Sequence, residues 1–297
     1  MTDSTATVGG RPSGGGRRLS WSWLGALPFL VYTGLFLLVP TLVVVVGAFL
    51  DVSGRPTTAN LSAFTEEFVI TSFVNSIVLS AESAVLGALL GAVVAYAIAT
   101  GHPDGGLRRF FVAASGMLAQ SGGVTLAFGF IATVGGQGLL TLLLANLGLD
   151  IISPNLLFGL NGLVLVYAYF QIPLMVLVFL PALDGVRPQW REATESLGGT
   201  SWHYWRHVAV PILTPPFLGA LLLLFANAFS AYATTAALIS QGSIIAPLQI
   251  RVALTSETIA GQENVGKAIA LGMIVVVGVV MGLYSLVERR SARWLKK

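Results

Sequence analysis

Six apolar stretches alternating with polar connectors set the rhythm of this chain. They lie at about residues 24–50, 68–100, 107–134, 158–183, 215–240 and 267–287. A helix of about 20 apolar residues crosses the hydrocarbon core of a bilayer, so each stretch predicts one transmembrane helix. Backbone N–H and C=O groups in lipid must be satisfied within their own segment. The pattern therefore predicts an all-α integral membrane protein with six spans. One further apolar stretch, Leu139–Leu147, is too short to cross and is expected at the interface or on the external face. Residues 1–20 are rich in Gly, Ser, Thr and Arg without apolar periodicity, which predicts a disordered tail. The run after Arg17 and Arg18 is too long for a signal-peptide core and reads as a retained first span.

Composition agrees with this pattern. Of 297 residues 55% are hydrophobic and only 10% charged, against about 25% charged in soluble domains. The chain lacks cysteine, which excludes disulfides, thiolate metal sites and cysteine nucleophiles. The net charge of +3 matters less than its distribution. Thirteen of the sixteen Lys and Arg residues fall in the first tail, the connectors after spans two and four, and the last tail. Only Arg55, Arg251 and Lys267 lie in the alternate segments. The positive-inside rule then places both termini and the 184–211 connector in the cytoplasm.

Within that connector, residues 187–211 read as an ordered element. Pro188 suits a first helical turn, and Gly198 suits the left-handed residue after a helix end. Trp190, Ala193 and Leu197 recur at three and four residues, which places them on one helical face. Glu192 and Glu195 fall where the helix dipole favours negative charge. Trp202, Trp205 and Val208 mark a second amphipathic turn, and Pro211 is expected to open the fifth span.

Other candidates for chemistry are weaker. Gly261–Ala268 approaches a phosphate-binding loop, but Ala268 replaces the magnesium-binding hydroxyl and no strand precedes it. His203 and His207 are four residues apart but have no third ligand at a recognisable spacing, so a surface or docking role is expected. No hydrolytic triad, H-E-x-x-H motif or pair of intramembrane aspartates appears. Glu82 is the only carboxylate well inside a span, where an ionisable group points either to function or to polar pairing. Asn227, Ser230 and Thr234 are expected on one face of the fifth span, and Tyr167 with Gln171 on one face of the fourth. Gln120 and Ser121 add polar atoms to the third. Such stripes serve either as interhelical hydrogen bonds or as the lining of a pathway. The glycine pairs Gly87/Gly91 and Gly278/Gly282 predict close helix approach.

The 187–211 element also carries a resemblance. E-A-T, three residues, G, nine residues and V-A-V-P is similar to the E-A-A loop of binding-protein-dependent ABC importer permeases, with Glu192, Ala193, Gly198 and Pro211 matching in identity and spacing. Thr194, Val208 and Val210 depart from the family pattern conservatively. The resemblance implies a type I importer permease fold and no cofactor bound by this chain. It further implies ATP and magnesium on a separate cytoplasmic ATPase dimer, a second identical or paralogous permease subunit, and an extracytoplasmic substrate-binding protein. The lipid bilayer is a further partner, and nucleic acid is not. By the same resemblance the loop is a coupling element that docks on the ATPase through Trp190, Ala193 and Leu197, with Arg191, Glu192 and Glu195 at the rim. A bacterial inner-membrane location follows. L-P-F-L-V-Y-T-G-L-F-L-L-V-P and R-R-F-F resemble permeases of the polyamine, aminophosphonate, iron and thiamine group. An ion-coupled transporter using Glu82 stands as the alternative.

Overall fold

The computed structural model describes residues 22–102, 104–149, 156–239, 245–255 and 262–294. The tail at residues 1–20 lies outside them. The chain divides into two units, Met1–Val44 and Val45–Lys297. Thirteen α-helices form among the described residues: α1 (Ser22–Thr33), α2 (Val39–Gly47), α3 (Glu67–Ala99), α4 (Gly106–Ala119), α5 (Val124–Val134), α6 (Leu139–Asn146), α7 (Leu160–Asp184), α8 (Pro188–Ser196), α9 (Ser201–Tyr204), α10 (Val210–Ser230), α11 (Ala233–Leu238), α12 (Ala246–Thr255) and α13 (Gln262–Trp294). The β content among the described residues is one isolated antiparallel bridge, Leu50 with Pro56. Six helical segments are long and apolar enough to cross a membrane: Gly25–Gly47, Glu67–Ala99, Val124–Asn146, Leu160–Asp184, Ser201–Ser230 and Glu263–Arg289.

Two of these segments contain a π turn, at Gly34–Leu38 and at Trp205–Ala209. Each ends two residues before a proline, Pro40 and Pro211 respectively. The residue between turn and proline donates its N–H five residues back, Val39 to Gly34 and Val210 to Trp205. Proline has no N–H to give, and its ring clashes with the carbonyl four residues earlier. A widened turn relieves that clash without breaking the helix. Pro211 consequently lies inside one continuous helical path from Ser201 to Ser230, not at the start of a span as its sequence position predicts.

In the second unit α7 is the central post, buried along most of its length. Gly87 and Gly91 of α3 permit its closest neighbour to approach. A Cβ at Gly91 would lie 2.5 Å from the Met175 Cβ and 2.6 Å from the Ile172 carbonyl oxygen. At Gly278 and Gly282 a Cβ would meet nothing within 4 Å, so the second glycine pair does not mark close packing within the chain.

The core lies in two clusters along α7. One gathers Leu163, Tyr167 and Phe170 with Leu126, Leu238 and Ile245. The other gathers Met175, Val176 and Phe179 with Ala84, Ala88, Leu213 and Leu224. Gln171 lies between them on α7.

The predicted third span is not one helix. It breaks after α4, and Gln120–Gly123 links α4 to α5. The third segment long and apolar enough to span joins α5 to α6 across the turn at Gly135–Gly138, and the short stretch after it forms α6. The two glycines at 122 and 123 explain the break: Gly123 takes φ +87°, a value that side-chain-bearing residues rarely adopt.

Candidate functional site

Two features at different levels of the bundle make up the site. The first is the 187–200 element at one end. Arg187 is extended, Pro188 opens α8, and Leu197 closes it. Gly198 then takes φ +78°. Its N–H donates to the Glu195 carbonyl at 3.0 Å, and the Gly199 N–H donates to the Thr194 carbonyl at 2.9 Å. This pair of bonds is a Schellman cap, which fixes the exit of the chain from α8. Arg191 donates to Glu195 at 3.0 Å across one turn. Trp190 is half-buried, whereas Ala193 and Glu192 are exposed. Leu197 is 89% exposed and Trp202 67% exposed, an apolar pair that the chain leaves open to the outside.

The base of this element is anchored. Trp205 turns inward and meets Tyr96 of α3 edge-on, with ring centroids 5.4 Å apart. Arg108, at the start of α4, pairs with Asp184 at the end of α7. The connector after the second apolar stretch and the one after the fourth therefore lie at the same end of the bundle. His203 and His207 stack at 6.1 Å; the His203 Nδ1 is 2.9 Å from the Thr200 hydroxyl.

The second feature is a polar junction deep in the bundle. The stripe predicted on the fifth span does not form, because α10 ends at Ser230 and Ala231 is extended, with φ −72° and ψ 117°. Asn227 and Ser230 stay on α10 and are exposed, while Thr234 belongs to α11 and is buried. The Ser230 hydroxyl donates back to the Ala226 carbonyl at 2.8 Å. Thr234 accepts the Gly123 N–H at 2.8 Å, joining the break before α11 to the break before α5. Tyr167, fully buried, donates its hydroxyl to the Ala231 carbonyl at 2.8 Å and shares a second bond of 2.8 Å with Thr235. Gln120 and Ser121 sit in the other break, Gln120 exposed.

Gln171 does not face this junction. Its side-chain nitrogen donates to the Leu224 carbonyl at 3.0 Å, and its Cβ fills the space over Gly87. Glu82 is placed apart from all of these. It is exposed on α3, on the side opposite the buried stripe of Ser76, Ser80, Ser83 and Gly87. The stripe itself, with Ser72 at its outer end, escaped sequence reasoning although its spacing of three and four was there to be read. Within it the Ser76 hydroxyl accepts the Ala246 N–H at 2.8 Å and so caps α12.

No protein-family model matches the chain. It is 33% identical over 112 residues to the thiamine transport system permease protein ThiP of Escherichia coli, covering 37% of this chain and 20% of that one. The match thus spans about a fifth of the length of that relative. The probable starch degradation products transport system permease protein AmyD of Thermoanaerobacterium thermosulfurigenes is 24% identical over 267 residues, covering 88% of this chain and 91% of that one. Among solved structures, a bacterial ABC transporter that imports alginate superposes with TM-score 0.68 at 17% identity, covering 92% and 95% of the two chains. The methionine transporter MetNI superposes with TM-score 0.56 at 14% identity, covering 75% of this chain and 96% of that one. The chain thus has the fold of the membrane subunits of ABC transporters. It is a multi-pass protein of the bacterial inner membrane, as its six apolar helical segments and its relationship in sequence to transport-system permeases indicate.

Proposed function

We propose that this chain is the permease subunit of an ATP-driven importer. It forms part of the substrate pathway and takes its driving motion from a separate cytoplasmic ATPase dimer through residues 187–211. The observation that carries this reading is the continuity between a docking surface and a spanning helix. Leu197 and Trp202 lie open at the end of the bundle, and from Ser201 the backbone runs without interruption to Ser230. A push on the exposed element is a push on a membrane helix, as in rigid-body domain switches. The assignment of ATP hydrolysis to the partner is supported by the helical geometry around Lys267, which pairs with Glu263 at 2.7 Å and Asn264 at 3.1 Å.

A second permease subunit completes the pathway in this reading, and an extracytoplasmic binding protein delivers the substrate. Gln120, Ser121, Asn227 and Ser230 are among the polar groups in and beside the two helix breaks that this chain contributes. Glu82 faces elsewhere, which weakens the ion-coupled alternative.

Purification of the full chain from its host in mild detergent tests the proposal. An ATPase subunit should co-purify with the wild type and be lost on Glu192→Lys. Replacing Asn227 and Ser230 together by Leu should abolish uptake while leaving that assembly intact. Absence of any ATPase, or normal uptake in the double variant, refutes the corresponding half of the reading.

A further inference from the structure

A helix that ends inside an apolar bundle leaves backbone groups that need partners there. This chain has two such ends side by side. The break after α10 frees the Ala231 carbonyl, and the break before α5 frees the Gly123 N–H. Each is met by one side-chain hydroxyl: Tyr167 reaches Ala231 at 2.8 Å, and Thr234 receives Gly123 at 2.8 Å. The same tyrosine hydroxyl holds Thr235 at 2.8 Å, so a single phenol grips both sides of the α10–α11 break.

The grip is placed on a buried post. Tyr167 has no exposed surface, and its ring lies 5.3 Å from that of Phe170 within the cluster that also holds Leu238 and Ala228. α10 has a clamp of its own on the same post, the Gln171 side-chain nitrogen on the Leu224 carbonyl at 3.0 Å, while its outward residues Asn227 and Ser230 are exposed and the Ser230 hydroxyl turns back on its own helix. One side of the break is thus part of a continuous helix that runs to the exposed end of the bundle. The other side is short α11, tied to α5 through Thr234.

We infer that Tyr167 is a positioning residue that latches a hinge between α10 and α11. While its hydroxyl spans Ala231 and Thr235, the far end of α10 is held to α7. When the bond opens, α11 loosens about Ala231–Tyr232, held to α5 by Thr234, while Gln171 keeps α10 on α7. The hinge rests on the geometry alone; its use in transport rests on the importer reading above.

Hydrogen exchange of the full-length chain in lipid nanodiscs, with whatever subunits accompany it, reads the latch without requiring ATP. Tyr167→Phe removes one oxygen and keeps the ring. The amides of Ala236 and Ile239, which donate to Tyr232 and Thr235, should then exchange about tenfold faster, while those of α7 and α13 keep their rates. Thr235→Val should give a smaller rise confined to α11, and Thr235→Ser, which keeps a hydroxyl, should exchange as the wild type does. Unchanged exchange in Tyr167→Phe overturns the inference. So does an equal acceleration across the whole chain, which would mark Tyr167 as mere core. If Tyr167→Phe yields no folded protein, Thr235→Val decides: a rise confined to α11 supports the latch, and wild-type rates refute it. A chain that fails to bind any ATPase but shows the local pattern would sink the importer reading and leave the hinge standing.

Discussion

Trp205 and Tyr96 meet edge to face at 5.4 Å, at the point where the exposed end of the bundle joins its core. Tyr96 belongs to the long helix α3, which is packed along α7, and Trp205 opens the π turn that leads into α10. The ring pair therefore sets the angle at which the 187–200 element leaves the membrane helices. Removing the indole should loosen this joint first. Trp205→Ala is expected to cost roughly 2 kcal/mol, below the value for a fully buried tryptophan because Trp205 is half-buried. Thermal melting in detergent should show the loss, whereas Trp205→Phe should retain most of the stability. Equal melting of the wild type and the alanine variant would remove Trp205 from the joint.

Gly198 offers a sharper test of the cap. Its φ of +78° costs an L-residue about 1–2 kcal/mol, and Asn tolerates the conformation best. ATPase stimulation by the reconstituted chain should therefore fall in the order wild type, Gly198→Asn, Gly198→Asp, Gly198→Val. A different order, with Val as good as Asn, would mean that the left-handed turn does not govern coupling.

Leu197→Asp leaves the backbone alone and charges the most exposed apolar side chain of the element. Association with the ATPase should drop by at least tenfold, with membrane insertion and melting temperature unchanged. Undiminished association would move the docking face off α8.

The two glycine pairs give opposite expectations. Gly91→Leu drives a side chain into the Met175 Cβ and the Ile172 carbonyl, so the yield of monodisperse protein should collapse. Gly282→Leu projects into open space and should leave the yield of the isolated chain intact. If both variants behave alike, the approach of α3 to α7 does not limit folding.

Orientation is open to direct labelling, since the chain has no cysteine of its own. Ser196→Cys should react with a membrane-impermeant maleimide only from the cytoplasmic side, and Ser53→Cys only from outside. The reverse pattern would invert the positive-inside assignment.

The long apolar runs and the capped element at 187–198 were legible because each depends on local chemistry. Twenty apolar residues, a proline at a helix start and a glycine at a helix end act where they stand. Thiamine permeases, one of the groups the opening apolar segment resembles, also appear among the relatives. The broken third and fifth spans were not legible. Gln120–Gly123 and Ala231–Tyr232 are short breaks inside apolar sequence, and each exists because a residue far along the chain satisfies its freed backbone group. Thr234 is 111 positions from Gly123, and Tyr167 is 64 from Ala231. Periodicity assumes an unbroken helix, so it assigned Thr234 to a stripe with Asn227 that the break dissolves. It likewise gave Glu82 weight for its depth in the membrane without showing which side of α3 it occupies.

The π turn at Trp205–Ala209 gives the spacing of this region a meaning that residue identity alone does not convey. Such a turn is one surplus residue absorbed without rotating what lies on either side. The stretch between Gly198 and Pro211 therefore behaves as a phase angle, fixed modulo a helical turn. A chain that lost one residue inside Trp205–Ala209, together with the ring of Pro211, would close into ordinary helix and keep its exposed apolar side chains pointing as before. A loss of one residue anywhere in Val210–Ser230 would turn that surface by about 100° relative to the far end of the helix. Insertions and deletions near this proline are thus unequal in their effects, and a change of one residue is tolerated only where the helix already stores it.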